Sequence, residues 1–301
     1  ADYAQKAREA RKIIKLQDPS VRTILAGSSG PFMKTFPDWD RTCLEIAWEQ
    51  ADFLSLHNYA TNWENDTSSF LGYAIEFEKH IDTLAKILRE VKQPHGFKNE
   101  IFLSQDEWNV WYKNRDADGK WAVAPHLCEE SYNLEDALVV AQWMNVFLRK
   151  CDVLKIACLA QIVNVIAPLK TRGNELLKEA TFHAFVMYSR HARGNSLRTK
   201  VNVPTMTTNR FGEVPLLDAA ATFDPETRRW ALFLVHRGQA QTLKVDLAFS
   251  ARNRPARVIS AEQISGLDPK AANTFDRPDV IYPRQTAVIP MGVNGVSLKL
   301  P

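Results

Sequence analysis

Cysteine, ligand-spaced histidine, long apolar runs and excess charge of either sign are all scarce in this 301-residue chain. The four cysteines, Cys43, Cys128, Cys151 and Cys158, form no CxxC pair and are too sparse for a disulfide framework. Most are expected to be reduced and buried, which suits a cytoplasmic protein. The seven histidines show no metal-ligand spacing on a helix or hairpin. No apolar run reaches the roughly 18 residues that a spanning helix needs, so no membrane partner is expected. A net charge of +3, with its basic residues scattered, gives no support for nucleic-acid binding. There are no internal repeats and no low-complexity tracts. What remains is an ordinary globular composition, 45% hydrophobic and 24% charged, long enough for one large domain or two smaller ones.

The first 190 or so residues alternate between two periodicities. Helical spacing covers residues 2–17, about 40–51, about 70–92, 134–151 and 180–191; in the third of these, Phe70, Ala74, Phe77, Leu84 and Leu88 form the apolar stripe. Gln93-Pro94-His95-Gly96 is expected to break that helix. Strands are expected at 21–26, 51–59, 101–107 and 153–165, the last nearly continuous in apolar residues, as parallel strands buried on both faces must be. Such alternation implies parallel strands with right-handed crossovers. Four strands are too few to close a barrel of eight. After Arg193-Gly194-Asn195 short alternating runs take over, at 197–203, 215–223, 230–236, 242–249, 256–261 and 296–300, and point to an antiparallel sandwich. The expected fold is therefore α/β plus all-β, with domains 1–194 and 195–301.

Chemistry gathers where the four strands end. Residues 101–112, IFLSQDEWNVWY, begin apolar and finish in a carboxylate among indole and phenol rings, as strands do at the carboxyl face of a (β/α) barrel. Strict period two places Glu107 with Leu103, Gln105 and Asn109, and turns Asp106 to the opposite face with Phe102 and Ser104. The second strand ends in His57-Asn58-Tyr59 and the fourth in Gln161-Ile162-Val163-Asn164. A carboxylate flanked by an imidazole and a phenol can be oriented as a nucleophile, and a glutamine offers a sugar hydroxyl both a donor and an acceptor. The 21-residue stretch 113–133, with Trp121, Pro125 and His126, is expected to wall a pocket. Retaining glycoside hydrolysis needs a second carboxyl group about 5–5.5 Å from the first. None stands in a strand-end context here: Glu64, Glu129, Glu130 and Glu135 fall on loops or helix starts, and the last three are read as serving helix ends or the solvated surface.

Several long motifs, in order, resemble the family 51 glycoside hydrolases, the α-L-arabinofuranosidases. They are Phe36-Pro37-Asp38-Trp39-Asp40-Arg41, Ser55-Leu56-His57-Asn58-Tyr59, the stretch Asp106-Glu107-Trp108-Asn109-Val110-Trp111-Tyr112, Tyr132-Asn133-Leu134-Glu135-Asp136-Ala137-Leu138 and Lys155 to Pro168. The resemblance implies a (β/α)8 barrel followed by a jelly-roll sandwich. It also implies release of terminal non-reducing α-L-arabinofuranosyl groups from arabinoxylan- or arabinan-type oligosaccharides, with retention. Glu107 matches the nucleophile, His57 and Tyr59 match residues that position it and the sugar, Gln161 matches a hydroxyl-binding glutamine, and Trp111 an aromatic near the sugar. No metal or organic cofactor is expected.

The resemblance also implies a shortfall. The family's acid/base glutamate follows an Asn at the end of the fourth barrel strand, and this chain opens just after that point, without an initiator Met or signal peptide. Its four strands would be strands five to eight. The expected partners are an arabinose-containing oligosaccharide and either the first half of the barrel or further copies of this chain. The alternative reading is a non-catalytic remnant that binds carbohydrate or a partner chain.

Overall fold

The computed structural model describes residues 1–112, 123, 128–239, 241–249, 257–290 and 295–301. Trp121, Pro125 and His126 lie outside the described residues. Two compact units form from interleaved segments, Ala1–Tyr59 with Ile75–Asn109 and Lys150–Ala160, and Ala60–Ala74 with Val110–Arg149 and Gln161–Pro301.

The first unit is built on a four-stranded sheet in sequence order: β1 (Ile24–Leu25), β2 (Phe53–Ala60), β3 (Phe102–Val110) and β4 (Leu154–Leu159). β1 runs parallel to β2 and β3 parallel to β4. β2 is buried almost throughout, with Leu54 and Leu56 fully inside, as a central parallel strand must be. Helix α1 (Asp2–Gln17) is tied to the sheet by the Arg11–Asp52 ion pair, and the backbone N–H of Ala26 donates to the Tyr3 hydroxyl at 2.7 Å. Tyr3 also stacks on Trp39 of α2 (Asp38–Ala47), with ring centroids 5.4 Å apart.

Two expectations are corrected in the helical layer. The helix expected over 70–92 is two helices, α3 (Thr67–Leu71) in the second unit and α4 (Ala74–His95). Asp66 caps α3 by accepting from the Ser69 N–H, and Gly72 closes it by donating to the Ser68 and Ser69 carbonyls. Phe70 is therefore buried from a separate element, while Phe77, Ile81, Leu84, Leu88 and Val91 keep the α4 stripe. α4 also runs through Pro94, which sits in the last turn, and stops at Gly96, whose φ of +65° only glycine adopts cheaply.

β4 departs further. It spans six residues, not thirteen, and Lys155, Ala157 and Cys158 along it are exposed. The reason is its place at the edge of the sheet, where β3 is its neighbour and its other edge is unpaired among the described residues. After Leu159 the chain leaves the strand in a tight loop, with Asn164 and Ile166 at positive φ and the Gln161 N–H donating to the Ile166 carbonyl. The cysteines are all free, yet only Cys43 and Cys128 are buried; Cys151 and Cys158 are exposed.

In the second unit α5 (Leu134–Arg149) packs on α6 (Ala180–His191) and on an antiparallel sheet. A hairpin the sequence reading lacked, β5 (Leu169–Arg172) with β6 (Glu175–Lys178), turns at Gly173. The sheet against α5 has the order β11-β10-β7, from β7 (Asn195–Leu197), β10 (Leu217–Asp224) and β11 (Arg229–His236). The small buried residues Ala219, Ala220 and Ala221 let α5 approach β10. β8 (Thr205–Thr208) and β9 (Gly212–Pro215) pair as a second hairpin. β12 (Leu243–Ala248) pairs antiparallel with β16 (Gly295–Leu300), which also pairs with β15 (Ile289–Pro290). Their alternation delivers Val245 and Leu300 to a small core with Leu217. The strand expected at 256–261 does not form: residues 257–261 are irregular, 256 lies outside the described residues, and the next strand, β13 (Glu262–Gln263), pairs with β14 (Arg284–Gln285).

Candidate active site

Alternation along β2 puts Ser55, His57 and Tyr59 on one face, and their intervening neighbours Leu56, Asn58 and Ala60 are buried on the other. Facing them is the end of β3. Its register against β4 shifts between Gln105 and Trp108, so strict alternation fails where the two acids stand. Asp106 is therefore not turned away from Glu107's partners, as period two required. His57 Nε2 lies 3.4 Å from Asp106 Oδ1, and His57 Nδ1 lies 3.4 Å from Glu107 Oε2. One imidazole faces two consecutive carboxylates.

The remaining contacts are shorter. The Tyr59 hydroxyl donates to Glu107 Oε2 at 3.0 Å, and the Ser55 hydroxyl donates to Asp106 Oδ1 at 2.6 Å. Fully buried Gln105 donates from Nε2 to the Glu107 carbonyl at 2.7 Å, fixing the backbone that carries the acid. Glu107 is the most open of the group, with its side chain 49% exposed against 30% for Asp106 and 28% for His57.

The electrostatics follow from these contacts. The hydrogen bond that His57 donates to Asp106 raises the His57 pKa above its ordinary value; burial opposes this, and the charges of Glu107 and Asp106 add to it. Burial would lift the Asp106 carboxyl, but its hydrogen bonds from His57 and Ser55 outweigh it and hold the group below the ordinary aspartate value. Burial and then the neighbouring Glu107 charge push the Tyr59 phenol far above its usual pKa, so it stays a neutral donor. The arrangement is a half-open carboxylate, oriented by a phenol and an imidazole. Among the described residues, no cluster of three or more His, Cys, Asp or Glu could hold a metal ion, and no helix is long and apolar enough to cross a membrane.

His57, Tyr59 and Glu107 are thus brought together within the first unit. Trp111 and Gln161 belong to the second. Trp111 is half-buried, with its indole N–H directed to Cys128 Sγ at 3.4 Å; Gln161 is exposed, just beyond the end of β4. Trp108, which the sequence set among the rings near the acid, is core at 1% exposure.

The profile of the α-L-arabinofuranosidase C-terminal domain matches residues 106–301. The chain belongs to this family, the family 51 glycoside hydrolases, as part of its C-terminal portion. It is 37% identical over 248 residues to the intracellular exo-α-(1→5)-L-arabinofuranosidase of Halalkalibacterium halodurans, covering 81% of this chain and 50% of that protein. It is 34% identical over 301 residues to the intracellular exo-α-(1→5)-L-arabinofuranosidase 1 of Bacillus subtilis, covering 98% and 59%. A family 51 α-L-arabinofuranosidase structure from Bifidobacterium longum superposes on the whole chain with a TM-score of 0.92 at 29% identity, over 61% of its own length. The chain thus spans half to three fifths of these relatives.

Within this family 51 chain two residues of the candidate site escaped the sequence reading. Ser55 was within reach, because the alternation that joined His57 to Tyr59 includes it. Asp106 was not, because its position depends on an irregular register that no single strand announces. Glu135 also differs from expectation: it does begin a helix, but it is fully buried, accepting from Thr67 at 2.7 Å, from Asn62 at 3.0 Å and from Lys270.

Proposed function

We propose that this chain carries the nucleophile half of a retaining, exo-acting α-L-arabinofuranosidase that removes terminal arabinofuranosyl groups from arabinan- or arabinoxylan-type oligosaccharides inside the cell. In this reading the four parallel strands are strands five to eight of a (β/α)8 barrel, residues 1–194, and residues 195–301 form its jelly-roll sandwich. One observation carries it: among the described residues Tyr59 and His57 both hold the same oxygen of Glu107, Oε2, which leaves Oε1 as the attacking atom.

Oε1 forms a bond to the anomeric carbon as the glycosidic C–O bond breaks and the leaving oxygen departs with the electron pair. Water then attacks the same carbon, restoring the carboxylate and releasing arabinose. The roles of Trp111 against the sugar and of Gln161 on a hydroxyl rest on the family motifs alone. The proton for a poor leaving group has no donor among the residues matched here, so natural linkages need an acid supplied by the first half of the barrel. Aryl arabinofuranosides with good leaving groups do not.

Mechanism-based labelling with an activated fluoro-arabinofuranoside, followed by peptide mass analysis, is expected to place the sugar on Glu107. Label on another residue sinks the assignment. The second reading is a non-catalytic remnant that binds carbohydrate or a partner chain. It predicts sugar affinity that survives Glu107→Gln, with no turnover to lose.

A further inference from the structure

Asp106 has no part in the proposed attack, yet it is the better anchored of the two acids. A regular strand would turn it away; the register shift between Gln105 and Trp108 brings it against β2 instead. There its Oδ1 takes the Ser55 hydroxyl at 2.6 Å and faces His57 Nε2 at 3.4 Å, while Ser55 Oγ also stands 3.4 Å from that nitrogen. We propose that Asp106, seated by Ser55, is a positioning residue that holds His57 so that its Nδ1 side is always presented to Glu107.

The argument is geometric. The two ring nitrogens lie on opposite flanks of the imidazole, so fixing Nε2 against Asp106 directs Nδ1 at Glu107 Oε2. Neutral histidine donates from one nitrogen only, whereas the imidazolium donates from both. Among the described residues Asp106 and Glu107 are the charged groups facing the ring, both from β3; Ser55 and Tyr59 are the polar groups beside it from β2. When Glu107 becomes an ester its charge disappears, but the charge of Asp106 remains. His57 therefore keeps a charged partner and its orientation through both steps, ready to stabilise Glu107 as it leaves.

The effect on rate rests on the proposed function; the effect on His57 does not. Ring-nitrogen NMR on the whole chain, with the His57 signal identified among seven histidines by its loss in His57→Gln, reads the imidazole directly. Relative to wild type, the His57 titration midpoint is expected to move down in Asp106→Asn and by less in Ser55→Ala. An unchanged midpoint in folded Asp106→Asn overturns the proposal. If that variant does not fold, Ser55→Ala decides: a lowered midpoint supports the role and an unchanged one overturns it. On an aryl arabinofuranoside, Asp106→Asn is expected to lose up to about a hundredfold in kcat with little change in KM, the scale of a misplacement on the order of 1 Å. A wild-type chain that fails to turn over this substrate, alone or with the first half of the barrel added, counts against the proposed function. The NMR titration still decides the role of Asp106.

Discussion

Asp40 accepts two hydrogen bonds from Ser28, one from its backbone N–H at 2.9 Å and one from its hydroxyl at 2.6 Å, with both residues buried. This pair fastens the end of β1 to the first turn of α2, one residue past Gly27, where the chain touches the Ser55 carbonyl on β2. Asp40→Ala leaves a buried N–H and a buried hydroxyl without their acceptor. A stability loss of about 1–3 kcal/mol is expected in urea unfolding; an unchanged midpoint would mean that water replaces the carboxylate.

Gly27 itself admits no side chain. A Cβ there would stand 2.1 Å from the Ser55 carbonyl oxygen and 2.7 Å from Asp40 Oδ1. Gly27→Ala must push β1 off β2, at roughly 1–3 kcal/mol or more. The signal to watch is the His57 ring resonance, which is expected to shift, because Ser55 lies two residues before it on the displaced strand.

In the second unit Asp218 is shared by three donors, of which Asn145 and Arg237 are buried. Asn145 Nδ2 donates to it at 2.8 Å, and the guanidinium groups of Arg237 and Arg149 pair with it at 3.2 and 3.1 Å. Arg237 is only 3% exposed. Asp218→Ala removes the anion from beside a buried cation and is expected to cost about 3–5 kcal/mol. Thermal unfolding followed by circular dichroism checks it, and a shift no larger than that of a surface Asp→Ala control would refute it.

Asp136 gives the stability a pH slope. Its carboxyl accepts from Tyr112 at 2.7 Å and from the Asn133 N–H at 2.8 Å, and burial is the chief reason its pKa is raised from 3.8 to about 7. A carboxyl raised on folding contributes stability that is full below pH 3.8 and lost as pH rises through about 7. Asp136→Asn should therefore flatten the curve of unfolding free energy over that window, by a few kcal/mol at most. His80, buried and depressed from 6.5 to about 4, acts with the opposite sign. The difference between variant and wild type isolates Asp136; identical slopes would reject the assignment.

How much of this could be read beforehand differs from residue to residue. His57, Tyr59 and Glu107 were legible because strand periodicity and a common strand-end position are local properties. The antiparallel run from Leu243 to Ala248 was legible for the same reason. The true extent of β4 was not, because an apolar run reads alike whether its strand is central or at an edge. Phe70 was assigned to the long helix because the apolar stripe continues across Gly72, where only the backbone breaks. Asp106 was misplaced because a bulge is a relation between two strands, and one strand's residues do not record it.

The bulge at the end of β3 bears on transplantation. Copying Asp106, Glu107, His57 and Tyr59 onto a regular sheet would reproduce the residue identities but return Asp106 to the far side of its strand. The portable unit is the tetrad together with its extra step of backbone, and a graft that omits that step should keep the carboxylate while losing its orientation.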